Sequence, residues 1–166
     1  MADLRQKTCC FTGHRELPVT QIPAIRDRTE RCVRLLYNNG VRYFGVGGAL
    51  GYDTLAAQLL LRLRQDELKD IRVILVYPFE GFTDRWDAVN QHLYDRLLPY
   101  YDKTVCVSQT PSREAYLERD RHLVDASAYC IGYCVKDSGG TAYTMRYART
   151  KRLTVYNVGL EPSELR

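Results

Sequence analysis

Two glycine-containing turns stand far apart in the chain: Phe44-Gly45-Val46-Gly47-Gly48-Ala49-Leu50-Gly51-Tyr52-Asp53 and Asp137-Ser138-Gly139-Gly140-Thr141. Each follows a β-branched or aromatic run and opens a run of helical spacing. A third, Thr12-Gly13-His14-Arg15, follows the first apolar run. A glycine turn between a strand and a helix lets backbone N–H groups face an anion, and the helix dipole favours that anion. Three such turns predict a nucleotide-like ligand along one edge of an α/β sheet.

The remaining pattern agrees. Thr8–Thr12, Val41–Val46, Ile71–Tyr77, Thr104–Val107, Ala128–Val135 and Leu153–Val158 read as strands. Ile71–Tyr77 is a continuous apolar run cut by Pro78, as expected of a strand covered on both faces. Helical spacing is read from about Thr20 to Asn39, where Ile22, Ile25, Cys32, Val33, Leu35 and Leu36 form a stripe and Gly40 stops the helix. It is read again after Asp53, which reads as a helix cap or a general base. Further helices are read over about Thr83 to Leu98, with Trp86, Val89, Leu93 and Leu97 inward; after Thr110-Pro111, with Pro at the first position; and over Thr141–Arg149. Alternating strands and helices predict one α/β Rossmann-like domain over residues 1–166, with its core at about 8–158. The sheet is mostly parallel, with helices on both faces. The tail after Gly159 is expected to fray. Ligands of such sheets lie beyond the carboxyl ends of the strands, near a switch in strand order, and all three turns fall at that end.

Composition narrows the function classes. A length of 166 residues with 45% hydrophobic and 27% charged residues is an ordinary globular balance. The formal charge of +4 is mild and the basic residues are scattered, so a nucleic-acid partner is not expected. Six cysteines include no CxxC pair and no Cys/His ligand cluster, so no metal site is expected. No apolar run is long enough to span a membrane. Reduced thiols without an export signal predict a cytoplasmic protein.

Gly45 and Gly47 fit the first two positions of the dinucleotide fingerprint, but Leu50 stands where the third glycine belongs. The chain has no GxxxxGK[ST]. The glycines therefore bind phosphate in some other way or serve tight turning alone. Ser138, Gly139, Gly140 and Thr141 offer N–H groups and two hydroxyls at a helix start, with Thr144 one turn on. His14 and Arg15 form either a cation pair for a phosphate or a solvated loop. Arg119 and Leu123, four apart, share a helical face, so Arg119 points at the ligand end or joins a surface ion-pair array with Asp120 and Arg121. Trp86, with Phe79 and Phe82, stacks on a base or closes the core. Asp53 and Glu80 are the carboxylates expected nearest the cleft.

These segments resemble a known family. Cys9–Arg15, Gly47–Asp53, Pro78–Gly81 with Trp86, Arg119–Arg121 and Gly139–Thr144 are similar to the YpsA-like family, a bacterial group of unknown function in the SLOG superfamily. Relatives there include the DNA-processing protein DprA and the LOG phosphoribohydrolases. The resemblance implies a Rossmann-like fold binding a nucleotide or a derivative such as NAD or ADP-ribose, without a required cofactor, and it admits a homo-oligomer. It implies ligand-binding positions at Thr12, Gly13, Arg15, Gly47, Gly48, Gly51, Arg119, Gly139, Gly140 and Thr141. It implies no reaction: the position of the LOG catalytic glutamate is Thr144, and Ala128 replaces the aspartate usual after Ser127. Asp120 stands where the YpsA-like pattern has Asn. A sensor is therefore expected. The alternative is a phosphoribohydrolase-like enzyme using Arg119 with Asp53 or Glu80 as a substitute carboxylate. Single-stranded nucleic-acid binding comes third.

Overall fold

The computed structural model describes residues 3–160. Six strands, β1 (Thr8–Gly13), β2 (Tyr43–Val46), β3 (Arg72–Tyr77), β4 (Lys103–Cys106), β5 (Tyr129–Tyr133) and β6 (Thr154–Asn157), form one sheet in the order β4-β3-β2-β1-β5-β6. Every neighbouring pair is parallel, with Cys10 opposite Gly45 on one side and Cys130 on the other. The helices are α1 (Ile22–Asn38), α2 (Tyr52–Asp66), α3 (Ala88–Leu97), α4 (Arg113–Asp125) and α5 (Gly140–Thr150). The fold is thus a single α/β Rossmann-like arrangement. The fraying expected of the tail falls, beyond Leu160, outside the described residues.

The period of two along each strand feeds two cores. Cys9 and Phe11 of β1, Val73 and Leu75 of β3 and Ile131 of β5 pack under α1 and α2. Cys10, Val76 and Cys130 point the other way, against Leu123 and Val124 of α4 and Met145 and Ala148 of α5. That alternation, buried on both sides, is why these strands read as continuous apolar runs. Strand order reverses at β1: β2 lies on one side and β5 on the other. Chains leaving β1 and β5 turn to opposite faces, which opens a crevice at their carboxyl ends.

The helix expected from Thr83 begins instead at Ala88. The Asp87 carboxylate accepts from the N–H of Asn90 at 3.0 Å and caps α3 there. Before it, Asp84 N–H bonds to the Gly81 carbonyl and Trp86 N–H to that of Thr83, closing successive turns. Trp86 therefore packs edge-to-face on Phe82 and Tyr94 from a turn, and Val89, expected inward, is 78% exposed. Similarly, α4 starts at Arg113 rather than at Pro111, because the Ser112 hydroxyl accepts from Ala115 N–H at 3.1 Å. In α2 the cap position is Gly51, not Asp53, which lies inside the first turn.

Gly13 closes β1 where the side chain of Tyr52, buried in α2, crosses it; a Cβ at Gly13 would overlap that side chain. At Gly140, by contrast, a Cβ meets no atom within 4 Å. Gly13→Ala is expected to cost about 1–3 kcal/mol by overpacking, visible as a drop of several degrees in Tm. Gly140→Ala should leave stability unchanged or raise it by up to about 1 kcal/mol. Equal melting temperatures for the two variants would refute the packing account of Gly13.

Candidate functional site

The crevice at the switch in strand order is a cleft of about 490 Å3. Its walls come from the turn after β1 (Thr12, Gly13, His14, Arg15, Glu16), the turn into α2 (Ala49, Asp53), α4 (Tyr116, Leu117, Arg119, Asp120) and the turn into α5 (Lys136, Ser138, Gly139, Gly140, Thr141). Most of the residues singled out in the sequence therefore meet in one place.

Each wall is positioned by a distinct local device. At the β1 end, His14 is fixed rather than free. Its carbonyl accepts from Tyr52 N–H at 3.1 Å, and its Nε2 accepts from Val135 N–H at 2.9 Å. An imidazole accepting at Nε2 is neutral, and burial, then nearby Lys136, holds His14 below its ordinary value. The cation pair expected at His14-Arg15 is thus one cation, Arg15, beside a neutral clamp that ties the β1 turn to the strand end of β5. The β2 turn is set by Gly51 (φ 75°), whose Cβ would strike the carbonyl of Arg15.

Arg119 is the centre of the site. It is 5% exposed, donates from Nη1 to the Gly47 carbonyl, and pairs through Nε with Asp120 at 2.7 Å. A Cβ on Gly47 would come within 3.0 Å of Cδ of Arg119. Asp120 also lies 3.1 Å from the hydroxyl of Thr144. Thr144 is buried behind Asp120 and does not line the cleft. Arg121 points away, paired with Glu114 at 2.6 Å.

Asp53 sits beside this pair. One carboxylate oxygen accepts from Ala49 N–H at 3.2 Å; the other is buried without a partner among the described residues. Burial pushes its pKa up to about 7. Arg119 opposes that rise, while Asp120 adds to it.

The start of α5 differs from the other walls. Gly139 (φ 97°) is the cap residue and no side chain caps the helix. The first bond in the helix runs from Tyr143 N–H to the Gly139 carbonyl, so the N–H groups before it have no partner within the helix. A Cβ at Gly139 or Gly140 meets nothing within 4 Å, so the turn is open to the cleft.

Gly47, Gly48 and Gly51 stand behind the lining. Gly48 packs on Leu75, Phe82 and Tyr94. Glu80 lies elsewhere: it accepts from the Tyr77 hydroxyl and lines a separate hollow of about 250 Å3 with Phe82 and Tyr94. Sequence reasoning missed Tyr116 and Lys136. Tyr116 was legible, since it lies three residues before Arg119 on one helix; Lys136, in an irregular turn, carried no periodic signal. Among the described residues no group of three or more His, Cys, Asp or Glu side chains could hold a metal ion, and no helix is long and apolar enough to cross a membrane.

The buried Asp53 gives a testable stability profile. In the unfolded chain an aspartate ionises near pH 4, but in the fold it keeps its proton to about pH 7. Between these values the folded state binds more protons, so stability falls as pH rises from about 4 to about 7. Asn cannot ionise. The unfolding free energy of Asp53→Asn is therefore expected to gain on the wild type across that window, by about 4 kcal/mol at most. Denaturant titrations at a series of pH values check this; parallel profiles for the two proteins would show that no proton is held there.

Comparison with known proteins follows the same outline. The sequence profile described as the YspA SLOG family, YpsA, matches residues 9–159. A UPF0398 protein of Staphylococcus epidermidis is 28% identical over 134 residues, covering 75% of this chain and 71% of that one. A UPF0398 protein of Bacillus velezensis is 22% identical over 144 residues, covering 82% and 79%. Among solved structures, DNA processing protein A of Helicobacter pylori, described for its single-stranded DNA binding mode, superposes with a TM-score of 0.63 at 18% identity. DprA of Streptococcus pneumoniae gives 0.66, also at 18%. The chain covers 65% and 51% of those two structures, and the likeness is one of fold. The expectation that nucleic acid is an improbable partner draws no support from these neighbours. By the match across residues 9–159, nearly the whole of the described chain, it belongs to the YpsA family of SLOG proteins.

Proposed function

We propose that this protein binds a nucleotide or nucleotide-derived ligand in the cleft between β1 and β5 and acts as a sensor of it. The observation that carries the reading is the pairing of two unlike receptors in one cleft. One is the uncapped, open start of α5, whose N–H groups and dipole suit a phosphate. The other is Asp53, whose buried, unpartnered oxygen suits a hydroxyl or amine of the same ligand. Lys136 and Arg15 add positive charge to the cleft. A ligand with an anionic group and a polyhydroxyl portion fits both receptors, and nucleoside phosphates, NAD and ADP-ribose all have that composition.

A second reading is hydrolysis of an N-glycosidic bond, favoured by one observation. Thr144 stands where a phosphoribohydrolase would carry its glutamate, but the Asp120 carboxylate lies 3.1 Å from the Thr144 hydroxyl, beside Arg119. With Asp53 also in the cleft, a carboxylate is at hand, whereas Glu80 is outside it. A third follows from the DprA neighbours: a phosphodiester of single-stranded DNA would meet the same α5 terminus.

A thermal-shift screen against nucleoside mono-, di- and triphosphates, NAD, ADP-ribose, cyclic nucleotides and an oligo(dT) separates the three. A ligand at a hundred times its Kd adds about 2.7 kcal/mol of stability. A shift with the ligand recovered intact by chromatography supports the sensor; release of free base or ribose phosphate supports the hydrolase; a shift by the oligonucleotide alone supports the third. No shift at all overturns phosphate binding. Gly140→Asp places a carboxylate at the α5 start, which suits the helix dipole but repels an anion. It is expected to keep or raise the Tm of the free protein while weakening any phosphate ligand at least tenfold.

A further inference from the structure

Tyr116 is the large aromatic side chain of the cleft's lining, apart from the clamped His14, and neither receptor invoked above uses it. It is partly exposed. Its ring is held edge-to-face by Phe79, at 5.6 Å between centroids and 86° between planes. Phe79 in turn meets Phe82, which meets Trp86 and Tyr94, so the ring rests on an aromatic cluster. The Arg15 guanidinium lies over the Tyr116 ring at 5.6 Å from its centroid, and that of Arg119 at 5.8 Å. Both distances are at the long limit for a cation–π contact. Arg119 is pinned by Gly47 and Asp120. Arg15 is exposed, and among the described residues its guanidinium has no hydrogen-bonding or ion-pair partner. A small outward swing of Arg15 therefore admits a planar ring between the guanidinium and the tyrosine.

Position along α4 supports the same use. Tyr116 precedes Asp120 by one turn, about 6 Å along the helix axis. Asp120 bonds to Thr144, one turn into α5, and lines the cleft together with Gly140 and Thr141, where the anionic group is placed. The ring thus stands off from the phosphate end by roughly one helical turn, the separation a pentose requires. From this juxtaposition we infer that Tyr116, covered by Arg15, is a base-stacking subsite, so the ligand of the cleft carries an aromatic base and not a sugar phosphate alone. The inference rests on the phosphate-binding reading above and narrows it. Tyr116 touches the ligand here; it does not merely position Arg119.

Calorimetric titration with two probes, adenosine 5′-monophosphate and ribose 5-phosphate, tests the inference. Base–aromatic stacking predicts that the wild type favours the monophosphate by about 5- to 150-fold. Tyr116→Leu should erase that ratio with the ribose 5-phosphate affinity unchanged, while Tyr116→Phe should keep it. Tyr116→Trp should show fluorescence quenching by the monophosphate and not by ribose 5-phosphate, beyond any change in wild-type Trp86 emission. This last readout stands even if the leucine variant fails to fold. Equal wild-type affinities, a ratio that survives Tyr116→Leu, or equal weakening of both probes, as loss of Arg119 positioning would give, each overturns the stacking subsite alone. Binding of neither probe to the wild type overturns the phosphate-binding reading, and the subsite with it.

Discussion

The buried guanidinium of Arg119 organises the carboxyl end of the sheet. It starts on α4, on one face, and reaches the carbonyl of Gly47 in the turn that leads to α2 on the other. A cation this deeply buried is tolerated only when its charge is balanced and hydrogen-bonded, and here Asp120 accepts from its Nε and Gly47 from its Nη1. The contact holds α4 down so that Leu123, one turn on, seats against Gly45 of β2, where a Cβ would come within 2.9 Å. It also leaves Tyr116, one turn before, at the cleft. The walls that line the cleft from the turn into α2 and from α4 take their places from this reach.

That constraint revises the reason for the glycines. From the sequence they read as three phosphate-binding turns, because they occur together at strand ends. Packing accounts for most of them: Gly13 yields to Tyr52, Gly45 to Leu123, Gly47 to Arg119 and Asp53, and Gly51 to the backbone of Arg15. Of the three turns, the one into α5 alone has glycines with open space around them. Composition cannot separate a glycine that lets two elements touch from one that lets a ligand approach, because the missing Cβ is the same. What separates them is the atom that fills the gap, and that is a tertiary fact.

Other features were legible to the extent that local forces decide them. The six strands and their parallel order follow from apolar runs alternating with amphipathic ones. The start of α3 was misplaced because the apolar spacing from Trp86 onward is helical, while Asp87 captures the Asn90 N–H and begins the helix later. The convergence of Thr12, Asp53, Arg119 and the α5 turn was readable from the strand-end rule. The exclusion of Glu80 was not, since it depends on the Tyr77 hydroxyl holding it in another hollow. Nor was the neutrality of His14, which depends on Val135, more than a hundred residues away.

Asp120 shows how one side chain sets the chemistry of the cleft. With Asn at this position, Arg119 would face a neutral partner, and its charge would be free to hold Asp53 ionised. The carboxylate of Asp120 instead pairs with Arg119 at 2.7 Å and adds its own repulsion to the burial that already raises Asp53. Near neutral pH, Asp53 is then poised between a form that donates a hydrogen bond and one that accepts. An anionic ligand entering beside it favours the protonated donor, because a second negative charge in a desolvated site is costly. On the reading proposed above, a phosphate at α5 would then meet no opposing charge at Asp53. Under that proposal, the aspartate at 120 is what makes a phosphate at α5 compatible with a hydrogen-bonding Asp53 in one small cleft.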